Sequence, residues 1–179
     1  MIKLRDYQNE VIEKIRQAFR SKKRSVILQC PTGAGKTLTA GFMVKHAKGK
    51  VLFLVHRKEL IDQTSAAFES LDIDHGIIAA GYKPDLEKPV QIAMVQLFTR
   101  RLNFTPDFII ADEFHNFAAP TYKRVLDSYP DAKIVGLTAT PSRLDGQGLK
   151  AIADMIVLGP AIKKLVQEKA LKYKHSESR

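Results

Sequence analysis

Thiols are almost absent from this chain: Cys30 is the single cysteine in 179 residues. No disulfide can close within it, so its stability has to come from a packed core. Cys30 and the histidines are not clustered at metal-ligand spacing, which argues against a zinc site. Long apolar runs are missing as well; none reaches the roughly 20 residues that a membrane helix needs. Met1 to Gln8 carries charge at once and has no apolar stretch of the kind a secretory signal requires. A cytoplasmic location without a membrane partner is the resulting expectation. Acidic residues are outnumbered, 19 against 29 basic ones, which leaves a net charge of +10. That excess favours an anionic partner, nucleic acid before an acidic membrane surface. There is no internal repeat and no Ser- or Gly-rich linker, so the length suits one α/β domain.

Hydrophobic periodicity organises what is present. Tyr7, Val11, Ile12, Ile15 and Phe19 recur at helical spacing. Ser25–Cys30 reads as a short buried strand, and a helix is expected from Lys36 to about Ala47. Val51–Val55 is a continuous apolar run, as in a strand covered on both faces. Helical spacing returns over Arg57–Leu71. Strands are expected over Gly76–Ala80, Val90–Val95, Asp107–Ala111 and Lys133–Leu137, with helices over Tyr122–Tyr129 and Ala161–Leu171. The alternation predicts an α/β fold, mainly a parallel sheet with helices on both faces. Residues 1–171 would form that domain and 172–179 a polar tail. Lys22–Arg24 reads as a solvated connector, Cys30 as a small packed residue, and His46, His75 and His175 have no partner pattern.

Pro31-Thr32-Gly33-Ala34-Gly35-Lys36-Thr37 lies between a predicted strand and a predicted helix, the context of a phosphate loop. Gly33 and Gly35 allow close backbone approach, and the amides and helix N-terminus would face an anion. Lys36 would neutralise the β- and γ-phosphates, and the Thr37 hydroxyl would reach Mg²⁺. The general pattern wants Gly where this chain has Cys30. Asp112-Glu113-Phe114-His115 follows another buried strand. Adjacent carboxylates there are costly unless they have work to do. Asp112 can hold Mg²⁺ beside Thr37, and Glu113 can polarise the water that attacks the γ-phosphate.

Together these motifs resemble the first RecA-like motor domain of superfamily 2 helicases, the DEAD/DEAH-box and related group. In that group Cys before Pro-Thr-Gly is expected, Asp112–His115 is a variant of the Asp-Glu-x-His box, and Thr138-Ala139-Thr140 matches the third motif. The run Thr138–Gly146 is most similar to the branch of repair helicases and restriction-enzyme motor subunits. The resemblance covers roughly Leu4 to Leu171.

The resemblance implies ATP and Mg²⁺ as cofactors, with Thr32, Gly33, Ala34, Gly35, Lys36, Thr37 and His115 around the nucleotide. Leu4–Gln8 resembles the adenine-recognition segment: Gln8 would select ATP over GTP, and Arg5 or Tyr7 would stack on the base. His56–Leu60 resembles a backbone-contacting motif, with His56 and Arg57 at a nucleic-acid phosphate. Gln96 and Thr99-Arg100-Arg101 would add a second such contact, and Thr138 and Thr140 would couple the two sites. DNA is the favoured polymer over RNA. A second RecA-like domain, in cis or in trans, would complete the motor. The alternatives are another P-loop NTPase, or a nucleic-acid-binding module with a vestigial nucleotide site. A GTPase would carry an Asn-Lys-x-Asp guanine reader, which the chain lacks.

All five motif groups lie just past the carboxyl ends of predicted strands. If the strands are parallel, they share the sheet edge where open α/β folds bind ligands.

Overall fold

The computed structural model describes residues 3–96, 103–116, 119–139, 153–161 and 165–166. Helix α1 (Asp6–Arg20) buries Tyr7, Val11, Ile12, Ile15 and Ala18 along one stripe, with Asp6 in its first turn and Arg20 in its last. Then come β1 (Ser25–Gln29), α2 (Lys36–Lys45), β2 (Val51–Val55), α3 (Lys58–Ser70), β3 (His75–Ile78) and β4 (Val90–Met94). β5 (Phe108–Ala111) runs into a 3₁₀ turn at Phe114–Asn116, followed by α4 (Ala119–Ser128), β6 (Lys133–Thr138) and β7 (Met155–Leu158).

The strands form one sheet in the order β3-β4-β2-β5-β6-β1-β7, and every pairing among them is parallel. Both faces are covered, which is why the central strands are nearly continuous apolar runs. On one side Val26, Leu28, Phe53, Val55, Ile110 and Leu137 pack with α1, α2 and α3. On the other, Ile27, Leu52, Leu54, Ile109 and Ile134 pack with Phe104, Phe114 and Val125 of α4. The alternation along each strand assigns its side chains to one core or the other.

The predicted strands, and the predicted helices as far as Tyr129, form with ends shifted by at most three residues. Helix α4 starts at Ala119 rather than Tyr122, because Pro120 sits in the first turn, where its missing N–H costs nothing. Strand β7 was not anticipated. Its run Met155–Leu158 is apolar throughout but only four residues long, and Met155 and Leu158 are exposed. Its pairing to β1, in the register Val26↔Met155 to Gln29↔Leu158, makes it one. Of the expected helix Ala161–Leu171, Ala161, Leu165 and Val166 are described, with Leu165 buried and Val166 exposed; the rest lies outside the described residues.

Lys22–Arg24 is more than a solvated connector. Arg24 Nε donates to the Ala132 carbonyl, and Nη2 to those of Leu126 and Tyr129 at 2.5 and 2.7 Å. Its backbone N–H and that of Ser25 donate to the Asp154 carboxylate. One residue thus ties the start of β1 to the end of α4 and to the approach of β7.

Candidate functional site

The glycine loop leaves β1 at a point fixed from below, where the Cys30 N–H donates to the Thr138 carbonyl at 2.9 Å. Gly33 and Gly35 then take positive φ, 82° and 73°. Side chains disfavour that region, so glycine is favoured at both turns. Gly35 caps α2, and Thr32, Gly33 and Gly35 are exposed while Ala34 is buried. The backbone therefore faces solvent at a helix N-terminus, the geometry that receives an anion.

Behind the loop, α1 holds it. The Tyr7 hydroxyl donates to the Ala34 carbonyl at 2.8 Å. Gln8, 2% exposed, donates through Nε2 to the Gly35 carbonyl at 3.3 Å and to Thr39 Oγ1 at 3.0 Å. Its Oε1 accepts the Arg5 backbone N–H at 2.8 Å, one half of a capping box. Thr39 Oγ1 also donates to the Gly35 carbonyl. Arg5 lies over the Tyr7 ring, 6.0 Å from its centroid. Sequence reasoning missed Thr39. A threonine one turn into a helix carries no signal of its own; only its position opposite Gln8 gives it a part. Cys30 is packed, with its Sγ against Gly159, and burial pushes its thiol up despite the nearby Lys36.

The acidic box follows β5. Asp112 is buried, 7% exposed. Desolvation and the neighbouring Glu113 charge hold its carboxyl above the ordinary value, opposed by the Glu113 N–H bond to Oδ1 at 2.9 Å and by the Lys36 and His115 charges. Glu113 adopts the left-handed region at φ 47°, uncommon for a residue with a side chain and strained by about 1–3 kcal/mol. From there Oε1 lies 3.9 Å from Lys36 Nζ, and Oε2 lies 3.4 Å from His115 Nδ1. His115 Nδ1 is also 3.1 Å from Thr138 Oγ1. Phe114 points the other way, its ring against Gly136, where a Cβ would come within 2.9 Å of it. Lysine from the end of β1 and acid from the end of β5 meet across β6.

Along the same edge, His56 and Arg57 follow β2, and Arg57 is the extended, exposed residue before α3. Gln96 Nε2 donates to the His56 carbonyl at 2.9 Å. Burial and the Arg57 charge lower the His56 pKa, and Glu113 acts against them. Arg100 and Thr140 lie outside the described residues, as do Thr99, Arg101 and the run 141–146. His46 and His75 have local partners: the His46 ring stacks on Phe42, and His75 Nε2 is 2.8 Å from Ser65 Oγ. Among the described residues no group of three or more His, Cys, Asp or Glu is arranged to hold a metal ion. No described helix is long and apolar enough to cross a membrane.

A seven-stranded parallel sheet with a glycine loop after β1 and an acid pair after β5 defines the RecA-like class, here the first motor domain of superfamily 2 helicases. Comparison with known proteins narrows this further. The chain belongs to the family of the type III restriction enzyme res subunit, whose model matches residues 1–143. It is 35% identical over 150 residues to the 51.5 kDa protein of a Lactococcus phage, covering 81% of this chain and 30% of that protein. It is 35% identical over 176 residues to the DNA 3'-5' translocase XPB2 of Sulfurisphaera tokodaii, covering 96% of this chain and 38% of the relative. The chain therefore spans about a third of the length of these relatives. Among solved structures, the UvsW helicase of bacteriophage T4 superposes with a TM-score of 0.69 at 19% identity, over 88% of this chain and 60% of that one. At that identity the likeness is one of fold.

Proposed function

We propose that this chain is the ATP-binding half of a nucleic-acid-dependent ATPase motor. The observation that carries the reading is the approach of Lys36 Nζ to Glu113 Oε1 at 3.9 Å, beside buried Asp112, in front of an exposed glycine loop. A cation and twin acids around a phosphate-shaped cradle are what phosphoryl transfer to water requires. Thr32–Gly35 would offer backbone N–H groups to the phosphates. Lys36, freed from Glu113 when nucleotide enters, would neutralise the β- and γ-oxygens. Glu113 would orient the attacking water and take its proton. His115, between Glu113 and Thr138, would tie the box to β6.

The donor set suits Mg²⁺: a threonine hydroxyl, a carboxylate and nucleotide phosphates, the mixture this ion favours. Asp112 supports the fit, because burial and the Glu113 charge disfavour its ionised form more than the Glu113 N–H, Lys36 and His115 favour it. Thr37 and Asp112 would hold the ion, which when bound neutralises charge on the phosphates.

Gln8 would read adenine. Its amide nitrogen is engaged with the Gly35 carbonyl of the loop and with Thr39 of α2, so recognition would exchange those bonds for the base, with Arg5 beside it. His56, Arg57, Gln96 and Arg100 would follow a nucleic-acid backbone, and Thr138 and Thr140 would couple it to the nucleotide. DNA is favoured, since XPB2 is by name a DNA translocase and the chain carries a +10 charge. A second RecA-like domain, in cis or in trans, would supply a transition-state arginine, a group whose absence slows related systems by about 10³ to 10⁵. This chain alone should thus bind ATP and hydrolyse it slowly.

The test is a titration with fluorescent ATP and GTP in Mg²⁺, repeated with Lys36→Ala, then single-turnover hydrolysis with Glu113→Gln. ATP should bind more tightly than GTP, Lys36→Ala should abolish binding, and Glu113→Gln should abolish turnover but not binding. Unchanged ATP affinity in Lys36→Ala would refute the reading.

A further inference from the structure

Lys58 and Asp62 stand four residues apart on α3, the spacing at which a lysine and a carboxylate meet on a helix surface. Lys123 and Asp127 have the same spacing on α4 and pair there at 2.8 Å. On α3 the pair is not made: among the described residues Lys58 has no ion-pair partner. The difference is Tyr82, from the turn after β3. Its hydroxyl donates to Asp62 Oδ1 at 2.5 Å, a bond that also holds the phenol above its ordinary value. The Lys58 ammonium lies instead over the Tyr82 ring, 5.9 Å from its centroid, and beside Gly81, 3.6 Å from where a Cβ would stand. The ring is half-buried against the core, and the Tyr82 N–H closes its turn on the Ala79 carbonyl at 3.2 Å, so the fold itself places the phenol.

We propose that Lys58 is a further contact for the nucleic-acid backbone and that Tyr82 is its positioning residue: by holding Asp62, the phenol leaves the Lys58 ammonium free for a phosphate. This rests on the reading of Arg57, the preceding residue, as a backbone contact. Arg57 and Lys58 are exposed, and so are Gly81 and Lys83 in the turn beside them, so a strand passing Arg57 has open access to both cations. Glu59 is the next residue and does not share the helix face of Lys58, which leaves Asp62 as the carboxylate on that face. A cation resting on an aromatic ring at an exposed site is held weakly and yields to a phosphate. A carboxylate paired with the same ammonium would compete with the phosphate for it.

The test is fluorescence anisotropy with a labelled single strand of oligothymidylate, titrated at several salt concentrations. Wild type is compared with Lys58→Ala, with Tyr82→Phe, and with Tyr82→Phe combined with either Asp62→Asn or Lys58→Ala. Lys58→Ala should weaken binding about two- to fivefold and lower the slope of log affinity against log salt by about 0.7, the share of one phosphate contact on a single strand. Tyr82→Phe keeps the ring but releases Asp62 to Lys58, and should weaken binding about twofold. That loss should vanish in the Asp62→Asn background and in the Lys58→Ala background, because it acts through those two residues. A loss that persists in either background would mean that the hydroxyl serves the turn alone, and would overturn the proposal. Full affinity in Tyr82→Phe, or an unchanged affinity and salt slope in Lys58→Ala, would overturn it as well. Failure of the underlying reading would look different, as Arg57→Ala without effect; wild type that shows no salt-dependent binding would overturn both.

Discussion

Gly35→Ala tests how the loop is held. A Cβ on Gly35 would lie 2.8 Å from Gln8 Nε2, closer than real contacts allow, and at φ 73°. Gln8 Nε2 is the far end of a flexible side chain, so yielding would ordinarily be cheap. Here it is tethered, because Nε2 donates to Gly35 and Thr39, Oε1 accepts from Arg5, and the residue is 2% exposed. Left-handed backbone strain costs about 1–2 kcal/mol for a residue with a Cβ. Losing the two Nε2 bonds adds about 0.5–1.5 kcal/mol each, for a total of roughly 2–5 kcal/mol. In a domain of this size that lowers the midpoint of thermal unfolding by about 4–20 °C. Gly33→Ala is the internal control: its φ is 82°, and a Cβ there meets nothing within 4 Å. It should cost only the strain, about 1–2 kcal/mol. The assay is urea unfolding followed by circular dichroism, for both variants and for each combined with Gln8→Ala. In the Gln8→Ala background, the Gly35→Ala cost should fall to that of Gly33→Ala. If Gly35→Ala is no worse than Gly33→Ala, or its cost ignores Gln8, the tether from α1 to the loop is wrong.

Three other outcomes are expected. Arg24→Ala should lose roughly 2–4 kcal/mol in urea unfolding, because three carbonyls of the α4 end lose a charged donor; Arg24→Lys, without the fork, should recover little. Gly136→Ala should drive Phe114 from its seat, destabilise the fold and shift the flanking Glu113–His115 resonances, whereas retained resonances and stability would mean that ring is free to move. The two perturbed aspartates should give pH profiles of opposite sign. The Asp154 carboxyl is held low, first by the Ser25 N–H and then by that of Arg24. Its stability is present above the unfolded value of about 4 and is lost as pH falls through the lower folded value, so Asp154→Ala should lack that acid limb. Asp112 is held high by burial. Its stability is full below about pH 4 and is lost as pH rises through the raised folded value, so Asp112→Asn should be more stable than wild type near neutrality and no different in acid. Unfolding midpoints measured from pH 3 to 8 check both.

The sheet was legible because its strands are buried on both faces. Val51–Val55 and Phe108–Ala111 are apolar without interruption, as strands of a covered parallel sheet are. The loop and the acid box were legible because their chemistry needs fixed residue types in order. Other features depend on partners distant in sequence, and local patterns cannot report those. Strand β7 exists through β1, more than a hundred residues away. Arg24 looked like one more connector cation, yet its carbonyl partners come from the end of α4. Gln8 was expected to face a base, and its burial against Thr39 follows from α1 lying across α2, which helical spacing alone does not dictate. The Gln96 bond to His56 likewise needs the strand order β4-β2, a crossover that the order of elements in the chain leaves open.

Stability and strain divide across this edge in a way that bears on how the site would work. Behind the loop every polar group identified has a partner: Tyr7 with Ala34, Gln8 with Arg5, Gly35 and Thr39. In front of it the pairing is loose. Lys36 stands 3.9 Å from Glu113, longer than a hydrogen bond, Asp112 is buried against its own charge, and Glu113 sits on strained backbone. An anion and a divalent cation entering there would offset the two electrostatic costs, since Lys36 would exchange Glu113 for the anion and the Asp112 carboxylate would gain an opposite charge. Binding energy would then come from relieving the front of the site while the back stays rigid. A loop that had to fold around its ligand would lose part of that energy to ordering.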